Sequence, residues 1–214
     1  MFDTNNKMSF LNISLVFAAI TGILFSSVLS LSFAGEAKDI LSVEAYDMLN
    51  TVPDTYLIDV RTRAEYQFVG HPINAYLFPY MFMSNALVNA DSRIFYRFDI
   101  KNTAFVQEIG KFFKKDDNLL IISRDGIRSA LAAAELVRAG YKNIYNVRDG
   151  FEGPYFPDFA DKDRNKFYRQ LARRNNIHGY NHRRHYGWQW WGLPWTYHMD
   201  KRFLYPPDLA EIKQ

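Results

Sequence analysis

The chain has 214 residues, of which 48% are hydrophobic and 23% charged, with 11 glycines and 8 prolines. This composition supports one ordinary hydrophobic core and excludes a disordered or collagen-like chain. Cysteine is absent, which excludes disulfides, zinc–thiolate and iron–sulfur sites, acylated lipoprotein anchors and a cysteine nucleophile. The net charge of +3 is unevenly placed, because residues 164–184 carry seven Lys or Arg and no Asp or Glu, which leaves −4 for the rest.

The first predicted element is a hydrophobic leader. Residues 10–35 contain no charged side chain, Lys7 precedes them, and Ser32 and Ala34 place small residues at positions −3 and −1 of a signal-peptidase site before Gly35. The pattern predicts a signal peptide in residues 1–34. The alternative is an uncleaved anchor in residues 10–33, because about 20 apolar residues also span a bilayer. Both place the body in the periplasm or another extracytoplasmic space, where no nucleic acid partner is expected.

Short apolar strands alternate with amphipathic helices through the middle of the chain. Helices are predicted at 42–49, 64–68, 105–112 and 129–139, and strands at 56–60, 76–78, 119–122 and 143–147. Ser42 is the expected N-cap of the first helix, and Gly140 is the expected end of the last. Nearly continuous apolar strands joined by helices are typical of a parallel sheet with helices on both faces, so the predicted fold class is α/β.

A loop with anion-binding features connects the strand at 119–122 to the Ala-rich helix. It consists of Ser123, Arg124, Asp125, Gly126, Ile127, Arg128 and Ser129. A glycine-containing loop at a helix N-terminus directs successive backbone N–H groups at one point. With Ser123, Arg124 and Arg128 it predicts a site for thiosulfate, sulfate, phosphate or a carboxylate, although the carboxylate of Asp125 opposes an anion. The alternative is a loop that only joins strand to helix.

Residues 154–214 are predicted to form a basic, Trp-rich C-terminal extension. Its candidate partner-binding residues are Arg173, Arg174, Arg183, Arg184, Trp190 and Trp191. Two adjacent indoles in an extended segment cannot both point inward, so at least one is expected to be exposed. Trp188 and Trp195 are candidates for packing back over the sheet. Two alternatives to a partner surface are a solvated arm and a lid folded over the loop.

Three histidines in the basic stretch have a spacing that a metal site could use. These are His178, His182 and His185. Gly179 disfavours the helix that would align them, and the neighbouring arginines repel a cation. We therefore predict no metal site, and nothing in the sequence calls for a cofactor.

Three segments in order resemble the rhodanese-like sulfurtransferases. The first consists of Leu57–Thr62, Glu65–Tyr66 and Gly70–His71, and it is similar to the family pattern D-V-R-x-x-x-E-[YF]…G-H. The second is Ser123–Ser129, which is similar to the family's active loop C-R-x-G-x-R-S. The third is Asn143–Val147 with Asp149–Gly153, which resembles the stretch that follows the loop helix. The resemblance spans roughly residues 42–153, and Gly187–Tyr197 resembles the ending of exported members. It implies a rhodanese-like domain at residues 35–153, with a parallel sheet flanked by helices on both faces.

The resemblance also suggests structural roles for several polar residues. In the resembled fold, the residue at Asp59 closes a strand end and the one at Arg61 forms ion pairs. Glu65 is expected at the surface or beside a cation. His71, before Pro72, is expected to fix a loop, and nothing in the sequence brings it to Ser123 as a catalytic base.

One substitution sets this chain apart from the family it resembles. Ser123 stands where the family has the cysteine that takes up sulfane sulfur, and no other cysteine can replace it. A hydroxyl cannot form a persulfide. The sequence therefore predicts an extracytoplasmic pseudoenzyme that binds an acidic protein partner, a membrane complex or a small oxyanion. The alternative is a sulfur-metabolism protein that holds a thiosulfate-like anion while a partner supplies the thiol.

Overall fold

The computed structural model describes residues 36–90, 93–154 and 186–210, together with residues 162–164, 166, 167 and 170. The predicted leader, the three histidines of the basic stretch, and Arg173, Arg174, Arg183 and Arg184 lie outside the described residues. Within the described part, no helix has the length and hydropathy that a membrane crossing requires.

A five-stranded parallel sheet forms the centre of the domain. Its strands are β1 (Lys38–Ile40), β2 (Thr55–Asp59), β4 (Tyr76–Leu77), β7 (Asn118–Ile122) and β8 (Asn143–Val147). They lie in the order β1-β8-β7-β2-β4, and β7 pairs with β2 and β8 along its whole length. Parallel strands place their carboxyl ends at one edge of the sheet, so the loops that follow β2, β7 and β8 meet there.

Helices cover both faces of the sheet, as the sequence predicts. They are α1 (Ser42–Thr51), α2 (Arg63–Phe68), α3 (Phe105–Ile109), α4 (Ile127–Arg138) and α5 (Pro206–Leu209), with a short 3-10 helix at Lys201–Phe203. Successive strand residues point to opposite faces. Ile58 and Ile121 therefore join a cluster with α3 and α4, whereas Leu57 and Leu120 join a second cluster with α1. The α/β fold class is confirmed.

Two antiparallel pairs lie outside the central sheet, and the sequence did not predict either. One joins β3 (His71–Pro72) to β9 (Trp195–Thr196), with Pro72 opposite Trp195. The other is a hairpin of β5 (Met81–Ala90) and β6 (Arg93–Lys101), with register shifts on β5 near Met83.

Residues 187–210 pack into the same core as the central sheet. Trp188 is fully buried in the cluster that contains α1, and Tyr205 is buried in the cluster that contains α3 and α4. The backbone N–H of Trp188 donates to the carbonyl of Gly150 at 2.8 Å. This part of the predicted extension is thus integrated into the fold.

Gly153 and Gly187 are far apart in sequence but adjacent in the structure. A Cβ added to Gly187 would lie 2.5 Å from the backbone nitrogen of Gly153, so the two backbones are in contact. Gly187 has a φ of +96°, which favours glycine. The basic stretch therefore lies, in sequence, between two residues that contact each other.

The prediction of Ser42 as an N-cap is wrong, whereas Gly140 ends α4 as predicted. Leu41 is the N-cap of α1, and its N–H donates to Glu44 at 2.6 Å. The hydroxyl of Ser42, the first helical residue, donates instead to Asp149 at 2.8 Å, because the loop after β8 lies against this end of the helix. Gly140 has a φ of +88°, which stops the helix.

Candidate functional site

The segment predicted to bind anions lies at the carboxyl edge of the sheet. Residues 123–126 connect β7 to α4, and residues 127–129 form the first turn of α4, which begins two residues earlier than predicted. Gly126 has a φ of +86° just before α4, and a Cβ there would lie 2.0 Å from the carbonyl oxygen of Arg148. The loop is also bonded to the segment after β8, because Phe151 N–H donates to the carbonyl of Ser123 at 2.8 Å. Close backbone packing therefore fixes the loop and requires glycine at position 126.

Ser123 is completely buried, and its hydroxyl is satisfied within the loop. Its Oγ accepts a hydrogen bond from Gly126 N–H at 3.2 Å and lies 3.1 Å from Ser129 Oγ. Ser129 donates its own hydroxyl hydrogen to the carbonyl of Gly126 at 3.0 Å, so Ser123 is the donor in the Ser123–Ser129 bond. The hydroxyl of Ser123 therefore donates one hydrogen bond and accepts another, both with residues of the same loop.

Arg128 pairs with Glu65, the third residue of α2, whose carboxylate completes the capping box at the N-cap residue Thr62. Its Nη1 and Nη2 donate to the two carboxylate oxygens of Glu65 at 2.8 and 2.5 Å. The same carboxylate accepts from the N–H and hydroxyl of Thr62 at 3.0 and 2.8 Å. Burial alone would raise the pKa of Glu65, but the hydrogen bonds and charge of Arg128 lower the pKa to about 2. Glu65 is therefore paired with a cation, one of the two placements expected for it.

The second loop arginine also faces a carboxylate. Arg124 Nη2 lies 3.3 Å from Asp125 Oδ2, and both side chains are largely buried. Each loop cation thus has an acidic partner from the protein. The structure brings all seven predicted loop residues together, and anion binding by them stays a prediction.

Asp59 and Arg61 form a buried ion pair, as the resemblance implies. Arg61 Nη2 donates to Asp59 Oδ2 and to the carbonyl of Gly70, both at 2.7 Å. Its guanidinium also lies 4.2 Å from the ring centre of Phe151. Burial alone would lower the pKa of Arg61, but the charge and hydrogen bonds of Asp59 raise it above the ordinary value. The pair holds the carboxyl end of β2 against the segment that follows β8.

His71 fixes a loop and does not bond to Ser123. Its ring stacks on Tyr66, with 3.6 Å between ring centres, and Nδ1 lies 2.9 Å from the carbonyl oxygen of Tyr66. Burial lowers the pKa of His71 more than its backbone hydrogen bonds raise it. The imidazole is therefore neutral at pH 7 and belongs to the β3–β9 pairing.

Comparison with known proteins identifies this arrangement. The model of the rhodanese-like domain family matches residues 42–154, which include β2, the loop and the segment after β8. The chain belongs to the rhodanese-like domain family.

Relatives of this rhodanese-like domain include proteins with and without a described activity. An uncharacterised protein of Rickettsia conorii is 34% identical over 116 residues, which cover 54% of this chain and 85% of the relative. Thiosulfate sulfurtransferase 18 of Arabidopsis thaliana is 28% identical over 57% of this chain and 83% of that protein. The crystal structure of Rv0390 from M. tuberculosis has a TM-score of 0.52 and 27% identity, covering 77% of this chain and all of that one.

Asp149 is a central residue of the rhodanese-like domain that sequence reasoning missed. Its carboxylate accepts hydrogen bonds from the N–H and hydroxyl of Ser42, from Gly187 N–H at 3.1 Å and from Trp191 Nε1 at 3.0 Å. It therefore ties the start of α1, the re-entry of the chain and an indole to the turn after β8. The Asp149–Gly150 pair indicates a turn in the sequence, but it gives no sign of partners so far apart in the chain.

The prediction that Trp190 or Trp191 is exposed is wrong. Both are half-buried, and their rings meet edge to face with 4.6 Å between centres. They lie in a turn, in which Trp191 N–H donates to the carbonyl of Gly187 at 3.1 Å, rather than in an extended segment. Trp188 and Trp195 do pack back on the sheet, as expected for these two residues.

A cleft of about 540 Å³ lies at the other end of the sheet. Its lining includes Thr55 at the amino end of β2, together with Tyr46, Tyr76 and Arg202. The loop is therefore not part of this cleft. In the part of the chain that the structure describes, no group of three or more His, Asp or Glu is placed to hold a metal ion.

Proposed function

We propose that this rhodanese-like domain is a pseudoenzyme that acts as a binding module and does not transfer sulfur. The observation that carries the proposal is Ser123, which occupies the position of the family's cysteine, is completely buried and has its hydroxyl bonded to Gly126 and Ser129. The loop keeps the sequence pattern of the family, but a serine replaces its nucleophile, and the hydroxyl of that serine forms hydrogen bonds within the loop.

The chemistry of sulfur transfer explains why this substitution matters. A rhodanese reaction needs a thiolate that attacks a sulfur donor and then carries the persulfide. A thiol ionises near pH 8.5, whereas a serine hydroxyl ionises far less readily and forms no persulfide. The chain has no cysteine at any of its 214 positions. A sulfur carrier would therefore have to come from another protein.

The proposed partner is an acidic protein or a membrane complex outside the cytoplasm. Residues 164–184 supply seven cations without an acidic residue, and this charge favours an anionic surface. In sequence the stretch lies between Gly153 and Gly187, whose backbones are in contact, and Gly153 N–H donates to the carbonyl of Arg124 in the loop at 3.2 Å. The uncharged residues 10–33 support an extracytoplasmic location, as a signal peptide or an anchor.

A sulfur-transfer assay with a cysteine variant tests the proposal. We expect the wild-type protein to release no thiocyanate from thiosulfate and cyanide. We expect the same of Ser123→Cys, because the new thiol would be buried. The introduced cysteine is the only thiol in the chain, so its reaction with a disulfide reagent reports directly on access to position 123. A cysteine placed at Phe68, which is 73% exposed, is the matched control and should react much faster.

Two results would contradict this account. Thiocyanate above the blank from the wild-type protein would show that the domain is an enzyme. Sulfur transfer by Ser123→Cys would show that the loop is still an active-site frame. That second result would favour the other candidate, in which the loop holds a thiosulfate-like anion while a partner supplies the thiol.

A further inference from the structure

The β5–β6 hairpin presents an apolar face that the rest of the described structure does not cover. Ile94, Tyr96 and Phe98 alternate along β6 and therefore share one face. Leu87 pairs with Tyr96, and Met83 pairs with Phe98, which adds both to that face. Ile94, Leu87, Tyr96 and Met83 are between 50% and 72% exposed. Large apolar side chains at this level of exposure on one strand pair indicate a contact surface.

The helix α4 lies beside β6 and carries two further exposed apolar side chains. The guanidinium of Arg128 lies 4.9 Å from the ring centre of Phe98, and Lys101 Nζ lies 2.8 Å from Glu135. These contacts set β6 beside the helix. Ile127 and Leu131 lie one turn apart on that helix and are 67% and 48% exposed. We call the six exposed side chains the hairpin patch: Met83, Leu87, Ile94, Tyr96, Ile127 and Leu131.

The size and chemistry of the hairpin patch restrict what can cover it. At roughly 100 Å² of exposed surface for each side chain, the patch presents roughly 600 Å², the upper end of what monomers leave uncovered. An isolated two-stranded hairpin is marginally stable in water, so covering this face also stabilises the hairpin. None of the six side chains is charged, which makes the patch a poor match for a strongly acidic partner.

We propose that the hairpin patch is the interface with a second copy of this chain. Two copies related by a two-fold axis would bury roughly 1,200 Å² in total, which reaches the range of specific protein–protein interfaces. A two-fold axis brings the same surface from both copies together, so an uncharged patch meets an equally uncharged patch. Homodimer interfaces are also more apolar than other interfaces. This proposal does not depend on whether the loop transfers sulfur.

Disulfide trapping tests the interface directly, because the wild-type chain contains no cysteine. Tyr96→Cys places one thiol in the hairpin patch, opposite Leu87 on the neighbouring strand. Phe95→Cys is the matched control, because residue 95 points to the other face of β6 and the two native side chains are similarly exposed, at 47% and 50%. Under mild oxidation of the full chain we expect a covalent dimer from Tyr96→Cys and little from Phe95→Cys. Equal trapping of both variants would overturn the proposal.

Sedimentation of the full chain in a mild non-ionic detergent provides the second test. We expect a wild-type dimer at micromolar concentration and a monomer for the double variant Leu87→Asp with Ile94→Asp, with an unchanged far-ultraviolet circular dichroism spectrum. Phe68→Asp, a substitution at an exposed apolar residue outside the patch, should remain dimeric. A monomeric wild-type protein, or a dimer that survives the double substitution, would overturn the proposal. Flotation of monomeric wild-type protein with phosphatidylglycerol vesicles, lost in the double variant, would also overturn it and assign the patch to lipid.

Discussion

At the scale of single residues, Glu65 couples the loop to the start of α2. One carboxylate accepts hydrogen bonds from Thr62 at the helix N-terminus and from Arg128 in the loop. A charged residue at this depth is stable only when it is paired, and here each ion satisfies the other. The loop therefore keeps its shape without a bound anion, because Arg128 already has a carboxylate partner.

Removing the Glu65 charge should destabilise the protein in a pH-dependent way. In the folded protein the pKa of Glu65 falls from 4.5 to about 2. The stabilisation is thus fully present above about pH 4.5 and is lost as the pH falls towards 2. We expect Glu65→Gln to lower the free energy of unfolding by about 3 kcal/mol at pH 7, and by progressively less below pH 4.5. Urea unfolding of both proteins from pH 7 to pH 3 measures the difference.

An exposed ion pair provides the control for Glu65→Gln. Asp116 and Lys142 are paired at 2.6 Å, but both side chains are about 70% exposed. Asp116→Asn should therefore change the free energy of unfolding by less than about 1 kcal/mol. A cost for Glu65→Gln that did not change with pH would contradict the assignment of the stabilisation to its ionised carboxylate.

The sequence predicts some of these residue roles and not others. The loop, the Asp59–Arg61 pair and the loop-fixing role of His71 follow from short motifs in which the partners are near in sequence or match the family pattern. Asp149 does not, because it bonds to Ser42, 107 residues away, and to the chain re-entry at Gly187. Such contacts arise from packing, and no local pattern in the sequence encodes them.

At the scale of elements, the long apolar strands and the Ala-rich helix are predictable and the short pairs are not. After Asn118, β7 is a continuous run of buried apolar residues, and the short length of that run identifies it as a strand. β1 and β9 have three and two residues, which is too short for any period to show. The hairpin was missed although β6 alternates apolar and polar residues from Tyr96 onward. Its exposed apolar side chains do not match the buried strands that a parallel sheet requires.

Trp188 should be essential to the fold, because it connects the re-entering chain to the core. It is fully buried, lies edge-on to Tyr46 and donates from Nε1 to the carbonyl of Pro194 at 2.9 Å. Truncating a buried aromatic residue leaves a cavity and removes its packing. We expect Trp188→Ala to lower the free energy of unfolding by about 3–5 kcal/mol in a urea titration.

A second aromatic residue of the same segment is the reference for Trp188→Ala. Tyr197 is 58% exposed and contacts Trp195 through its ring edge. Tyr197→Ala should cost less than about 1.5 kcal/mol. Similar costs for the two substitutions would mean that the segment after Gly187 is a surface attachment and not a part of the core.

At the scale of the whole molecule, the charge is divided between a body and one segment. The net charge is −4 outside the seven cations of residues 164–184. Gly153 and Gly187, which flank that segment in sequence, are in backbone contact. Asp149 holds the re-entry point by accepting from Gly187 N–H. These contacts join the residues that flank the segment, so deleting the segment tests its proposed binding role without removing them.

Replacing residues 155–185 with a short Gly/Ser linker should therefore preserve the fold and remove the electrostatic attraction. We expect the variant to keep the circular dichroism spectrum and cooperative unfolding of the wild-type protein.

In a pull-down from native membranes at 0.1 M salt, the linker variant should lose proteins that the wild type retains. Substitution of Arg173, Arg174, Arg183 and Arg184 by Ser should have the same effect with the chain length unchanged. Raising the salt to 1 M should release the same proteins from the wild type, because the screening length falls from about 10 Å to about 3 Å. Proteins that stay bound to both variants at 1 M salt would exclude the basic segment as the docking element and direct attention to the apolar surfaces of the domain.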